Sequence, residues 1–209
     1  MTDQSEQPDA PIAPQLYLIT PAGAEPGEFA PVLQALLERF EIACIRIPGA
    51  GDEDSLGRIA DTVRDLAHAR DIAVVIDDHI QLAQRHGLDG VHLTGGAKQV
   101  RYARKELGAD AIIGAFCGDS RHDGMNAAEA GADYVSFGPV GETGLGSGEL
   151  APPDLFAWWS EMIEVPVVAE GGLDAALIGK LVPITDFFAI GNEIWASEDP
   201  VQSLSHLWR

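Results

Sequence analysis

Val165-Pro-Val-Val-Ala-Glu-Gly-Gly172 and, further along, Phe187-Phe-Ala-Ile-Gly191 bracket a helical pattern over Asp174–Leu181. Each outer stretch is a short apolar run that stops at glycine. A run without polar alternation reads as a strand buried on both faces, the habit of parallel sheets. Upstream, the same kind of run recurs at Leu16–Thr20, Ile42–Ile47, Ile72–Ile76, Gly90–Leu93, Ala111–Ala115 and Tyr134–Phe137. Helical patterns lie between them, among them Glu28–Phe40, Ser55–Arg70 and Ala97–Leu107. Leu56, Ile59, Val63 and Leu66 share one helical face. Gly87 and Gly108 read as helix stops.

Eight such β-α units within 209 residues predict one closed (β/α)8 barrel, a TIM barrel. An open doubly wound sheet is the competing architecture. It usually has fewer strands and a glycine-rich loop after the first, whereas the first run here ends Ile19-Thr-Pro-Ala-Gly-Ala24 and no GxGxxG occurs. The expected division is a flexible tail over residues 1–14, acidic and proline-rich, and a phosphate-binding barrel over residues 15–209.

Bulk properties narrow the function classes. The hydrophobic fraction, 46%, fills a barrel core and an outer helical layer. No apolar run reaches the roughly 18 residues that suggest a membrane span. The start of the chain lacks the basic and apolar regions of an export signal. A cytoplasmic protein with no membrane partner is expected, with Cys44 and Cys117 reduced. The formal net charge of −20, with lysine only at Lys98, Lys105 and Lys180, argues against a nucleic-acid partner. An anionic ligand would have to be held locally, by backbone N–H groups, arginines or a divalent cation.

In this fold the site forms where strands end. Gly171 and Gly172 after the seventh strand, and Gly191 after the eighth, fall where such barrels place a phosphate. Bare N–H groups there, aided by helix dipoles, attract an anion without lysine. Tight left-handed turns are the other use of these glycines. Asp77 and Asp78 are adjacent, so only one can face the mouth. Asp78 is a candidate Mg2+ ligand, or the cap of a helix over His79–His86, or both. Arg46 sits in an apolar run and needs an anionic partner, either a ligand phosphate or a neighbouring carboxylate. His92 reads as an acid or base, or as a hydrogen-bonded inner residue. Arg121 and His122 lie at the rim, within reach of an anion or simply solvated. Trp158 and Trp159 suit a core or a subunit contact.

Together the motifs resemble the thiamine-phosphate synthase family, also called thiamine-phosphate pyrophosphorylase, from Gln15 to about Trp195. The resemblance is carried by Ile76-Asp-Asp-His79, Leu82-Ala83 and Asp89-Gly-Val-His-Leu93, spaced like the family's I-N-D, L-A and D-G-V-H-L. Leu16-Tyr-Leu-Ile-Thr20, Gly131-Ala-Asp-Tyr134, Gly138-Pro-Val140 with Thr143, and Val165-Pro-Val-Val-Ala169 before Gly171-Gly172 add to it.

The resemblance implies a transferase of thiamine biosynthesis that couples hydroxymethylpyrimidine diphosphate to hydroxyethylthiazole phosphate and releases pyrophosphate. It implies Mg2+ as cofactor, with Asp78 as ligand and Asp77 as a substitute donor. Arg46 would hold the diphosphate, with His92 beside it in the catalytic set. Thr143, Gly171, Gly172 and Gly191 would hold the thiazole phosphate. Gly138, Pro139 and Arg121 would complete the substrate site. The implied partners are small phosphorylated pyrimidines and thiazoles; a homodimer is left open.

Several family positions differ. The strand-two motif Q-L-R-E-K reads Cys44-Ile-Arg-Ile-Pro48, and V-H-L-G-Q with its following aspartate reads Val91-His-Leu-Thr-Gly-Gly-Ala97. The T-x-T-K loop reads Thr143-Gly-Leu-Gly146, a serine expected after strand five is replaced near Phe116, and Glu170 precedes the glycine pair. These losses leave two alternatives open: a metal-independent thiazole-phosphate tautomerase using His92, Glu170 or His122, and a non-catalytic barrel that binds thiamine or thiazole phosphate.

Overall fold

The computed structural model describes residues 13–208. The expected tail lies outside these residues except for Ala13 and Pro14. Parallel strands β1 (Gln15–Ile19), β2 (Ile42–Ile47), β3 (Ala73–Asp77), β4 (Gly90–Leu93), β5 (Ile112–Phe116), β6 (Tyr134–Phe137), β7 (Val167–Glu170) and β8 (Phe187–Ile190) close in chain order, and β8 pairs back onto β1 at Phe188 and Leu16. The expected TIM barrel is what forms. Outside it run α1 (Pro26–Arg39), α2 (Glu53–His68), α3 (Ile80–His86), α4 (Val100–Leu107), α5 (Arg121–Ala130), α6 (Pro153–Met162), α7 (Ala175–Leu181), α8 (Asn192–Trp195) and α9 (Pro200–Leu207).

Local chemistry explains the helix boundaries. Asp52, Ser120, Asp174 and Asp199 each accept a backbone N–H of the first turn that follows, capping α2, α5, α7 and α9. Asp78 does not cap α3 as one reading had it; the helix starts later, and Asp78 itself takes a left-handed φ of 56°. Gly87 ends α3 at φ 63°, as expected of a glycine stop. On α2, Leu56, Ile59, Ala60, Val63 and Ala67 are buried against the barrel wall.

Side chains alternate across each strand. Outward residues such as Leu18, Ile45 and Val74 form the main core with the helices. Inward residues form a second, smaller cluster of Tyr17, Cys44, Val75, Tyr134, Val168 and Ala189 that fills the barrel. The Tyr134 hydroxyl lies 2.7 Å from that of Tyr17 and 2.9 Å from His92 Nδ1, so the filling is partly polar but bonded. Cys44 and Cys117 are buried free thiols.

A repeated device ties neighbouring strands at the base of the barrel. The carboxylate of Asp89, just before β4, accepts the Val74 N–H of β3 at 2.7 Å. Asp133, before β6, accepts the Ile113 N–H of β5 at 2.7 Å, and Asp186, before β8, accepts the Val167 N–H of β7 at 2.8 Å. The aspartates of Asp89-Gly and Ala132-Asp133-Tyr134 are therefore strand fasteners. Each occupies the N–H of a strand entering the barrel, a donor that burial forbids leaving unpaired. Replacing Asp186→Ala should lower unfolding stability by about 1–3 kcal/mol in urea titrations; a change under about 0.5 kcal/mol would show that water substitutes freely at the base.

Candidate functional site at the barrel mouth

The strands' C-terminal ends enclose a cavity of about 240 Å³. Arg46, Asp77, Glu170, Thr143 and Glu193 line it, together with the glycines of the last two strand ends. A larger trough of about 680 Å³ lies outside the mouth, along the rims of β4 and β5. Its charged lining, Lys98, Arg101, Asp119, Asp123 and Glu129, faces solvent. The buried, converging polar groups are at the mouth, which is where a binding site is best sought.

Arg46 is 6% exposed and spans the barrel from β2 to β7. Its Nη1 and Nη2 donate to the two oxygens of Glu170 at 3.3 and 2.7 Å. Ser136 Oγ donates to Glu170 at 2.6 Å. Burial, the largest single influence, would raise the Glu170 carboxyl, but Arg46, His92 and the hydrogen bonds from Arg46 and Ser136 together hold the group below the usual carboxylate range. Burial also opposes the charge on Arg46, and Glu170 and then Asp77 overcome it, so the guanidinium stays charged.

Asp77 approaches Arg46 Nε at 3.4 Å. Neither Arg46 Nε nor Asp77 Oδ1 has a hydrogen-bond partner among the described residues. That is an unsatisfied donor and acceptor side by side on the cavity wall. Burial pushes the Asp77 carboxyl up to about 6, with Arg46 pulling against the shift.

At the ends of β7 and β8 the backbone N–H groups of Gly172, Leu173 and Gly191 converge, and the chain's own side chain fills the space between them. Glu193 Oε1 accepts the N–H of Gly172 at 2.9 Å and of Leu173 at 3.2 Å; Oε2 accepts the N–H of Gly191 at 2.8 Å. Gly171 and Gly172 adopt φ of 82° and 72°, left-handed conformations that favour glycine. A Cβ on Gly172 would fall 2.7 Å from the Gly141 carbonyl carbon, so the β6–α6 loop packs directly on this turn. Val140 and Gly141 donate to the Gly171 carbonyl, both at 2.9 Å.

The other expected residues do not line the cavity. His92 is 1% exposed inside the barrel, bonded to Tyr134, with its Nε2 3.9 Å from Glu170 Oε1 beneath the cavity wall. Burial drives its pKa down to about 3, so it is neutral at physiological pH. Gly138 and Pro139 are buried backbone beneath the loop; a Cβ on Gly138 would meet the Glu170 carbonyl oxygen at 2.3 Å. Arg121 lies on α5, its guanidinium 4.1 Å from the Trp158 ring centre. Trp159 is fully buried, as the core reading had it. The structure thus gathers Arg46, Asp77, Thr143, Gly171, Gly172 and Gly191, and leaves His92, Arg121, Gly138, Pro139 and Asp78 outside the group. Glu193, two residues past Gly191, carries no role in the sequence motifs. A glutamate two places after a strand-ending glycine, in a helical first turn, can fold back onto backbone N–H groups, and that was the available signal.

The two aspartates do not present a joint metal site. Asp77 turns inward to Arg46, while both oxygens of Asp78 are taken by the backbone and hydroxyl of Thr94. Among the described residues no cluster of three or more His, Cys, Asp or Glu side chains could hold a metal ion. The residues present do not fit a protein-held Mg2+. No helix among the described residues is long and apolar enough to cross a membrane.

The comparisons with known proteins fall on this same frame. The family described as "Thiamine monophosphate synthase" matches residues 16–191. The chain belongs to the thiamine monophosphate synthase family. It is 44% identical over 185 residues to a thiamine-phosphate synthase of Rhodospirillum centenum, covering 87% of this chain and 89% of that one. It is 36% identical over 195 residues to a thiamine-phosphate synthase of Erythrobacter litoralis, covering 90% and 91%. The solved thiamine phosphate pyrophosphorylase of Pyrococcus furiosus superposes with a TM-score of 0.80 at 23% identity, covering 92% of this chain and 93% of that one, a likeness of fold.

Two measurements probe the family member's mouth. Glu170→Gln strands the buried Arg46 charge and should cost about 3–5 kcal/mol of unfolding free energy; a loss under 1 kcal/mol would mean that Arg46 is neutralised elsewhere. For Asp77 the sign follows from its raised pKa. A carboxyl held near 6 when folded and 3.8 when free stabilises the fold below about pH 4, and that contribution disappears as pH climbs through about 6. Relative to Asp77→Asn, the wild-type chain should therefore lose on the order of 3 kcal/mol between about pH 4 and about pH 7.5. Equal denaturation differences at the two pH values would refute the shift.

Proposed function

We propose that this chain catalyses the thiamine-phosphate synthase reaction, coupling hydroxymethylpyrimidine diphosphate to hydroxyethylthiazole phosphate. The observation that carries the reading is the cradle of three backbone amides at the ends of β7 and β8, already closed around an anionic group beside Arg46. In the reaction the bond between the pyrimidine's methylene carbon and the diphosphate oxygen breaks, and the diphosphate leaves with the electron pair. The thiazole nitrogen's lone pair then forms the new carbon–nitrogen bond. The chain supplies position and charge more than covalent chemistry. The cradle would take the thiazole phosphate once Glu193 yields it, with Thr143 close by on the cavity wall. Arg46, on the cavity wall, would supply positive charge near the leaving diphosphate.

One observation favours a second reading. Asp77 stands at the mouth with a pKa of about 6, within the range that suits a general acid or base. With one phosphate held in the cradle and no joint metal site, this would serve a metal-independent tautomerisation of a thiazole phosphate. Purified protein given both fragments, with Mg2+ in solution as counter-ion to the diphosphate, should release pyrophosphate, and Arg46→Met should lower kcat/KM at least about tenfold. Background pyrophosphate release, with the thiazole phosphate changed equally well in EDTA, would replace the first reading with the second.

A further inference from the structure

Glu193 places a carboxylate where a phosphate monoester would sit. Both oxygens are engaged, by three N–H groups drawn from two different strand ends: Gly172 and Leu173 after β7, and Gly191 after β8. A carboxylate holding several backbone N–H bonds is a well-stabilised anion, because such charge-assisted bonds are short and strong. Glu193 is only half-buried and sits in the first turn of the short α8, so the side chain can swing outward while the backbone amides stay fixed. The mouth it helps to line already carries Asp77 and Glu170 against the guanidinium of Arg46. With Glu193 in place, three carboxylates there face one arginine.

We propose that Glu193 is a specificity-determining residue: a resident anion that competes with phosphate for the cradle, so that a phosphorylated ligand binds only by exchanging with it. This rests on reading the cradle as an anion site, and it adds that the site's affinity is set by the chain itself. Two effects act together. The incoming ligand must displace three hydrogen bonds that the free protein already makes, and it must enter a mouth that carries one more negative charge while Glu193 remains nearby. Removing the side chain frees the amides and lowers the local negative charge at once.

The test uses inorganic phosphate as the probe, with titration calorimetry on the full chain at fixed salt. Glu193→Ala should bind phosphate at least about tenfold more tightly than the wild type. Glu193→Gln should also bind more tightly than wild type, because its amide N–H2 cannot accept the Gly191 N–H that Oε2 now takes. Glu198→Ala removes the same formal charge from an exposed position just beyond α8, and should match wild type. Thermal melts give a second reading that survives poor behaviour of the alanine variant: added phosphate should raise the melting point of Glu193→Gln more than that of wild type. Tightening in neither Glu193 variant overturns the proposal, and so does equal tightening in Glu198→Ala. The outcome is separable from the catalytic reading. An active wild type with no tightening in the variants sinks this proposal alone. Tightening in a chain that releases no pyrophosphate sinks the coupling reaction and leaves the resident anion in place.

Discussion

A guanidinium buried at the mouth of a closed barrel has to find its counter-charge inside that barrel. Arg46 enters from β2 and Glu170 answers from β7, across the interior, with both terminal guanidinium nitrogens engaged. Desolvating either charge alone is expensive, and mutual pairing with further hydrogen bonds is what makes burial tolerable. The rest of the mouth is arranged around this pair. Ser136 fills a remaining acceptor of Glu170. Asp77 arrives third, at 3.4 Å from Nε, too late to be fully compensated. Its raised pKa and the unpartnered Arg46 Nε are two signs of one geometric fact: the guanidinium's third edge meets the Asp77 carboxylate without forming a hydrogen bond to it.

The amides at the last two strand ends face the same constraint in neutral form. Strand ends that turn into helices leave N–H groups without an intrahelical partner, and a half-buried group of this kind must be bonded to something. In Gly172, Leu173 and Gly191 these donors converge, which is why such turns bind anions at all. In this chain Glu193 supplies the anion from two residues downstream. The free protein therefore pays no penalty for an empty cradle, but a ligand gains less by filling it.

The barrel was legible because its determinants are local and repeated. Apolar runs of strand length mark β2, β4, β6 and β8 to the residue, and α2 follows the spacing of Leu56, Ile59 and Val63. β1, β3, β5 and β7 shift by at most two residues, since strand ends depend on which neighbour supplies the ladder bonds. The role of Asp89, Asp133 and Asp186 was not legible in the same way: a fastener joins strands distant in sequence, and nothing around one aspartate names the N–H it will accept. For the same reason the position of the glycines could be read, and the occupant of their amides could not. Whether Arg46 would meet a ligand or a carboxylate was left open by the sequence, and only the closure that brings β2 opposite β7 decides it. His92 was left open in the same way, as an acid or base or as a hydrogen-bonded inner residue; strand alternation carries it into the barrel filling, where burial keeps it neutral.

The formal charge of −20 invites the thought that the whole surface decides which ligands enter. Screening argues otherwise. At physiological ionic strength exposed charges fade over about 8 Å, so carboxylates on the outer helices act on a ligand in the mouth only weakly. The charges that count are those on the cavity wall, where water is scarce and the effective dielectric is lower. There the balance is set by four side chains, Arg46, Asp77, Glu170 and Glu193. Arg46 and Glu170 cancel one another, Asp77 is half-titrated near pH 6, and Glu193 is held only by amides it can release. Of the four, Glu193 can change the site's charge without breaking the fold, because its partners belong to backbone that the strands already hold in place.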